Sequence, residues 1–191
     1  MRKLFVIAAF FALAALPARA QYDRYELSAG GSFRVFQQGN TADLSRIGMP
    51  GWYFSGVFNE RRFHGIFGLQ LEGTGAYRDQ GTFGNTHIYT ILGGPRVYLL
   101  GHHELTPYGE IKFGYGYYTN DIPAFGGYQA STLISRGVTW EGGAGLELNL
   151  KQHWGVRMIQ FDAGQTSFFS YKTKQTNYRA SIGVIYRFGK K

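Results

Sequence analysis

Polar and apolar residues alternate with a period of two through most of the chain beyond residue 21. That is the pattern of extended strands with two unlike faces. Tyr25, Leu27, Ala29, Phe33 and Val35 alternate with Glu26, Ser28, Ser32 and Arg34, which predicts a first strand over about 22–36. Trp52, Phe54 and Phe58 mark a second, whose other face is blurred by Tyr53 and Val57. In the third, Phe67, Leu69, Leu71 and Tyr77 alternate with Gly68, Gln70, Glu72 and Thr74. The fourth, about 87–100, sets Tyr89, Ile91, Val97 and Leu99 against Thr90, Gly94, Arg96 and Tyr98. The fifth, about 106–118, sets Ile111, Phe113, Tyr115 and Tyr117 against Tyr108, Glu110, Lys112, Gly114 and Gly116. The sixth is the cleanest: Val138, Trp140, Ala144, Leu146, Leu148 and Leu150 oppose Thr139, Glu141, Gly143, Gly145, Glu147 and Asn149. A seventh starts at Trp154 and runs to about 163, and an eighth covers 177–189. No helical period of useful length appears, and no linker or domain boundary.

Three places depart from the alternation. Pro95 cannot donate to a ladder, which predicts a bulge at Gly93-Gly94-Pro95. Arg157 and Gln160 share a face only if the seventh strand bulges. Ile88, Leu92 and Ile185 are apolar residues on otherwise polar faces.

The connections alternate between long and short. The stretches 37–50, 78–86 and 119–136 read as long, and 59–65, 101–105 and 151–153 as short. Outer-membrane barrels have this rhythm, with short periplasmic turns and longer loops outside. The expected fold is therefore all-β: a closed eight-stranded antiparallel transmembrane β-barrel. Tilted strands of ~9–11 residues cross the apolar layer, and closure leaves no unpaired edge in lipid. Trp52 and Trp140 then fall toward the outer side, and Trp154 and Phe188 toward the inner side, as aromatic belts require.

Composition supports a membrane solvent. Gly is 28 of 191 residues and aromatics are 17%, against an average Gly usage of ~7%. Mean hydropathy is nevertheless −0.22, which a barrel tolerates because only alternate residues need be apolar. The absence of Cys excludes a disulfide scaffold and thiolate metal sites. Residues 1–20 have a basic start, an apolar run from Leu4 to Leu16 and a small-residue end at Ala20. They are expected to be a signal peptide, cut after Ala20, leaving 21–191 as the barrel domain. The apolar run is shorter than the ~20 residues of a spanning helix. Losing Arg2, Lys3 and Arg19 lowers the formal charge from +8 to +5. The remaining basic residues are scattered among strands and turns, so no nucleic-acid partner is expected.

The alternation turns Glu26, Glu72, Glu110, Glu141, Glu147 and Asp162 inward, and with them Arg34, Arg96, Lys112, Arg157, Arg179 and Arg187. A charge inside a narrow barrel must be paired or it is very costly. Six of each sign predict an ion-pair network that fills the lumen. An eight-stranded barrel is about wide enough for side chains to fill. Inward glycines at 68, 94, 114, 116, 143, 145 and 183 are expected to make room for Arg and Tyr side chains.

No phosphate loop, dinucleotide fingerprint or zinc-helix motif is present, and no catalytic residue, cofactor or metal is expected. His64, His102, His103 and His153 fall in turns, where solvated residues are the ordinary outcome. His87, Asp79 and Ser131 or Thr132 gather at the outer end and have the residue types of a hydrolase or acyl-transfer site. The motifs of the two known barrel enzyme groups that act on lipid A are not visible, and no His-x-Ser pair lies on a lipid-facing strand. Lys172, Lys174 and Arg136 are candidates to meet anionic lipopolysaccharide.

The chain ends in Ser181-x-Gly183-x-x-Tyr186-x-Phe188, followed by Gly189-Lys190-Lys191. This resembles the polar-x-Gly-x-x-aromatic-x-aromatic last strand of outer-membrane barrels, which normally stops at the aromatic. The stretches GGPRVY, GGAGLELNL and HWGVRMIQFDA are similar to the small OmpA-like and OmpX-like barrel family. The resemblance implies a Gram-negative outer-membrane location and recognition of Ser181, Gly183, Tyr186 and Phe188 by the barrel assembly machinery. It implies outer-membrane lipid and lipopolysaccharide as surroundings and a monomeric barrel. The periplasmic peptidoglycan-binding domain of full-length OmpA-type proteins is not expected here. The expected role is structural, or surface interaction through the outer loops. The rival readings are a small porin-like channel and a lipid A-modifying enzyme.

Overall fold

The structure is a computed structural model that describes residues 23–37, 46–60, 66–79, 85–99, 104–124, 129–150, 153–168 and 173–189. The expected signal peptide, 1–20, lies outside the described residues, as do His64, His102, His103 and Lys172. Eight strands form: β1 (Tyr25–Gln37), β2 (Arg46–Asn59), β3 (Phe67–Asp79), β4 (Asn85–Tyr98), β5 (Leu105–Ile122), β6 (Ser131–Asn149), β7 (Trp154–Phe168) and β8 (Thr173–Phe188). Each pairs antiparallel with the next. β8 returns to β1, with Glu26 opposite Arg187 and Arg34 opposite Arg179, so the sheet closes. No helix among the described residues is long and apolar enough to cross a membrane. Beyond Phe188 the chain leaves the sheet at Gly189, whose φ of 104° only glycine adopts freely.

The barrel is apolar outside and polar inside. Leu71, Ile91, Phe113, Phe161 and Ile182 are 58–65% exposed on its outer face. Arg34, Arg96, Lys112 and Arg157 are at most 1% exposed within it. Soluble folding has the reverse order, and the period of two makes this one possible by sending successive side chains to opposite faces.

Four sequence expectations change. Both β4 ladders keep one register from Gly93 to Arg96, so there is no bulge at Pro95. Instead β4 and β5 leave Gly94 and Pro95 unpaired, a local gap that accommodates the nitrogen with no hydrogen to donate. The strands also run further than the alternation predicts. β5 and β6 pair from Thr119–Ile134 out to Ile122–Ser131, inside the stretch read as a long loop. Residues 46–50, 164–168 and 173–176 likewise belong to β2, β7 and β8. Beyond the lipid layer both faces meet water, so the hydropathy signal fades while the hydrogen-bonded ladder continues. Trp52 and Trp140 consequently lie within their strands and not at the outer tips. Finally, inward Gly94 and Gly114 do not chiefly clear space for side chains. A Cβ there would strike the Ile111 and Ile91 carbonyls of the adjoining strand. Gly145 does make room for the Tyr108 ring, as expected.

β7 carries the bulge that its charges require. Met158 and Ile159 both face outward opposite the single Ile182, and the register shifts between Arg157 and Gln160. One extra residue thus returns Gln160 and Asp162 to the inner face with Arg157.

Candidate functional site in the barrel lumen

The lumen is where the chain has concentrated its polar side chains. All twelve inward charges come within ion-pair distance of an opposite charge there, and none is more than 5% exposed. They form two sets of three acids and three bases.

The set nearer the start of β1 and the end of β8 holds Glu26, Glu110, Glu147, Arg96, Arg157 and Arg187. Arg96 is its hub. Its Nε and Nη2 donate to Glu110 Oε2 at 3.0 and 2.8 Å, and its Nη1 to Glu26 and Glu147, both at 3.2 Å. Arg187 donates to Glu26 at 2.9 Å and to Glu147 at 2.7 Å. Arg157 donates to Glu147 at 3.2 Å. The Arg96 guanidinium lies 4.2 Å from the centre of the Tyr108 ring, and Arg157 lies 5.1 Å from that of Tyr53. These contacts are short enough for cation–π attraction.

The second set holds Glu72, Glu141, Asp162, Arg34, Lys112 and Arg179. Lys112 Nζ donates to Glu72 at 2.9 Å and Asp162 at 3.0 Å. Arg179 donates to Asp162 at 2.7 Å and also to Glu72. Arg34 faces Arg179 across the β1–β8 seam. Glu141 lies 3.3 Å from the first and 3.6 Å from the second, so its charge separates two like ones.

Gln160 joins the two sets. Its Nε2 donates to Glu110 at 2.9 Å and Asp162 at 2.7 Å, while its Oε1 accepts from Tyr108 at 2.8 Å and Arg157 at 2.9 Å. All four of its hydrogen-bonding positions are used. The ion pair between Lys112 and Glu110 is a second link. Toward the outer end, the hydroxyls of Thr74 and Thr90 pair at 2.6 Å and those of Thr139 and Thr166 at 3.0 Å. Beyond them Met49, Ala76, Ile88 and Tyr118 form a buried apolar layer.

Other expected places contain less. His87 packs its ring on Tyr77 and Tyr89, and its Nδ1 has no hydrogen-bond partner among the described residues. Thr132 donates to Asp121 at 2.8 Å. His153 Nδ1 donates to the Arg187 carbonyl at 3.0 Å. Among the described residues no group of acids and histidines is arranged to hold a metal ion. In the last strand Tyr186 and Phe188 face outward beside Tyr25 and Trp154, with ring centres 4.9–6.0 Å apart. Ser181 and Gly183 of the same strand face the lumen side.

The model of the outer membrane protein beta-barrel domain matches residues 6–188. The chain belongs to that family. It is an outer-membrane barrel protein, and its lipid-facing residues meet the bilayer. No curated protein matches its sequence. Solved structures are similar in fold alone. Neisserial surface protein A superposes with a TM-score of 0.65 at 10% identity, covering 86% of this chain and 97% of that one. Ail, the attachment invasion locus protein of Yersinia pestis, gives 0.57 at 17%, covering 87% and 99%. OprG of Pseudomonas aeruginosa gives 0.55 at 13%, covering 90% and 99%.

The alternation carried the twelve charges, but it carried nothing about how they divide. Gln160 as the link, and the apolar layer beyond the threonines, depend on shear between strands far apart in sequence. The misplaced Ile88 was the one visible sign of that layer.

Proposed function

We propose that this barrel is a closed structural scaffold whose outer end is its interacting surface. The observation that carries the reading is the paired, buried lumen under the Met49–Ala76–Ile88–Tyr118 layer. A water file through the barrel would have to break several ion pairs at once. It would then have to wet an apolar constriction, and such constrictions resist wetting. Interaction is left to the outer loops and strand tips, because loops on a rigid scaffold carry function. Arg78, Arg136 and Lys174 are exposed at that end. Arg136 is 5.6 Å from the centre of the Tyr117 ring. Anionic lipopolysaccharide or sugar is the chemistry they fit. Ail, of the same fold, has been solved in complex with the heparin analogue sucrose octasulfate. In this reading, export uses the signal peptide at 1–20, and Ser181, Gly183, Tyr186 and Phe188 are read by the assembly machinery. The barrel acts as a monomer, with no enzymatic step.

The test is electrical. Purified protein refolded into planar bilayers is expected to leave the membrane insulating. Stable single-channel steps would sink the closed-scaffold reading and favour a channel.

A further inference from the structure

The outer wall of the barrel is not uniformly covered. At the end where β1 begins and β8 finishes, a cleft of about 320 Å3 opens on the lipid-facing side of β1, β2 and β3. This size falls within the roughly 300–1,000 Å3 of small-molecule clefts. Gly56 is the reason for it. Gly56 stands between Leu27 of β1 and Leu71 of β3 in the register, on the outward face, and offers no side chain. Tyr25, Phe58 and Phe188 wall the cleft on its rim side. Tyr25 and Phe188 stack with centroids 5.4 Å apart, and Tyr25 and Phe58 lie 5.7 Å apart. Above these rings sits a cation. The Arg24 guanidinium is 5.6 Å from the Tyr25 centroid and 5.3 Å from that of Phe58. It is exposed and has no carboxylate partner among the described residues.

We propose that this cleft holds one glycerophospholipid of the periplasmic leaflet, with its phosphate on Arg24 and an acyl chain lying over Gly56. Apolar burial alone selects nothing here, since neighbouring lipid tails are as apolar as leucine. Two features select. An unfilled notch forfeits dispersion contacts on its lining, so a chain that fits it is held by packing. A guanidinium 5.3–5.6 Å from the centres of two rings of the cleft wall matches a phosphate in charge and in donor geometry. The cleft lies at the inner end, away from the outer leaflet where lipopolysaccharide resides.

The full barrel, refolded in mild detergent, is titrated with phosphatidylglycerol, with diacylglycerol of the same chains, and with lipid A, and is read by native mass spectrometry. Phosphatidylglycerol is expected to be retained one to one, ahead of the other two. Arg24→Gln should weaken retention roughly fivefold, the scale of an exposed charge pair. Gly56→Val should weaken it similarly while leaving the heat resistance of the folded gel band unchanged or higher. Among the described residues a Cβ at Gly56 meets only Leu27 Cδ2, at 3.6 Å, so there is room for it. Arg78→Gln, at the outer end, should change nothing. The proposal is overturned if diacylglycerol or lipid A is retained as well as phosphatidylglycerol, or if Arg24→Gln binds like the parent. Should Gly56→Val fail to fold, Arg24→Gln decides alone, because Arg24 lies outside the strands.

Discussion

Replacing Arg96 by methionine is expected to destabilise the refolded barrel by about 3–5 kcal/mol, the loss usual when one partner of a buried ion pair is removed. Methionine keeps the length and the apolar stem of arginine. What disappears is a 0% exposed guanidinium that donates to Glu26, Glu110 and Glu147. Those acids would retain Arg187, Arg157 and Lys112. Three carboxylates would then share two arginines and a lysine already committed to the second set. The measurement is urea unfolding in lipid vesicles, followed by the shift between folded and unfolded gel bands. Arg96→Lys should lose less, since it keeps the charge and gives up the planar fork. Arg96→Met combined with Glu110→Gln should recover part of the loss, because the substitution removes the acid that lost most. A loss below about 1 kcal/mol for Arg96→Met would place this charge in a hydrated cavity, where exposed pairs contribute that little. The closed-lumen reading would fall with it.

How much of this was legible follows from what the alternation encodes. The period of two reports which face a residue takes, so the two faces of β6, from Val138 to Asn149, could be written from the chain alone. It reports the β7 bulge as well, because Arg157 and Gln160 cannot otherwise both be inside. It says little about ladders that outrun the membrane, as at 119–122 and 131–136, where polar residues occupy both faces. It says nothing about spatial neighbours set by shear. Arg187 and Glu26 are 161 positions apart yet bonded, and sequence spacing has no access to that. Pro95 misled for a related reason. A proline forbids one hydrogen bond, and whether the sheet answers with a bulge or a gap depends on the partner strand.

The seam between first and last strands gives the other large effect. Gly183→Val is expected to prevent or severely weaken barrel closure, by roughly 3 kcal/mol or more, at or beyond the upper end of an overpacking penalty. Gly183 lies opposite Gly30 across the seam. A Cβ on it would press into the Ala29 carbonyl and the Tyr53 hydroxyl. The tyrosine could swing, but the carbonyl belongs to the β1 backbone and cannot withdraw without parting the strands. Gly30 has the same constraint from the other side, against the Ile182 carbonyl. Gly31 is the control, since nothing among the described residues lies within 4 Å of the Cβ it would carry, and Gly31→Ala should fold like the parent. The readout is the yield of the heat-modifiable band after refolding in vesicles without any assembly factor. That choice separates two roles for one glycine. A residue needed only as an assembly signal would refold normally in pure lipid when substituted. A residue needed for strand approach would fail there as well. Normal refolding of Gly183→Val would therefore remove the close-packed seam from the account of this barrel and leave Gly183 to recognition by the assembly machinery.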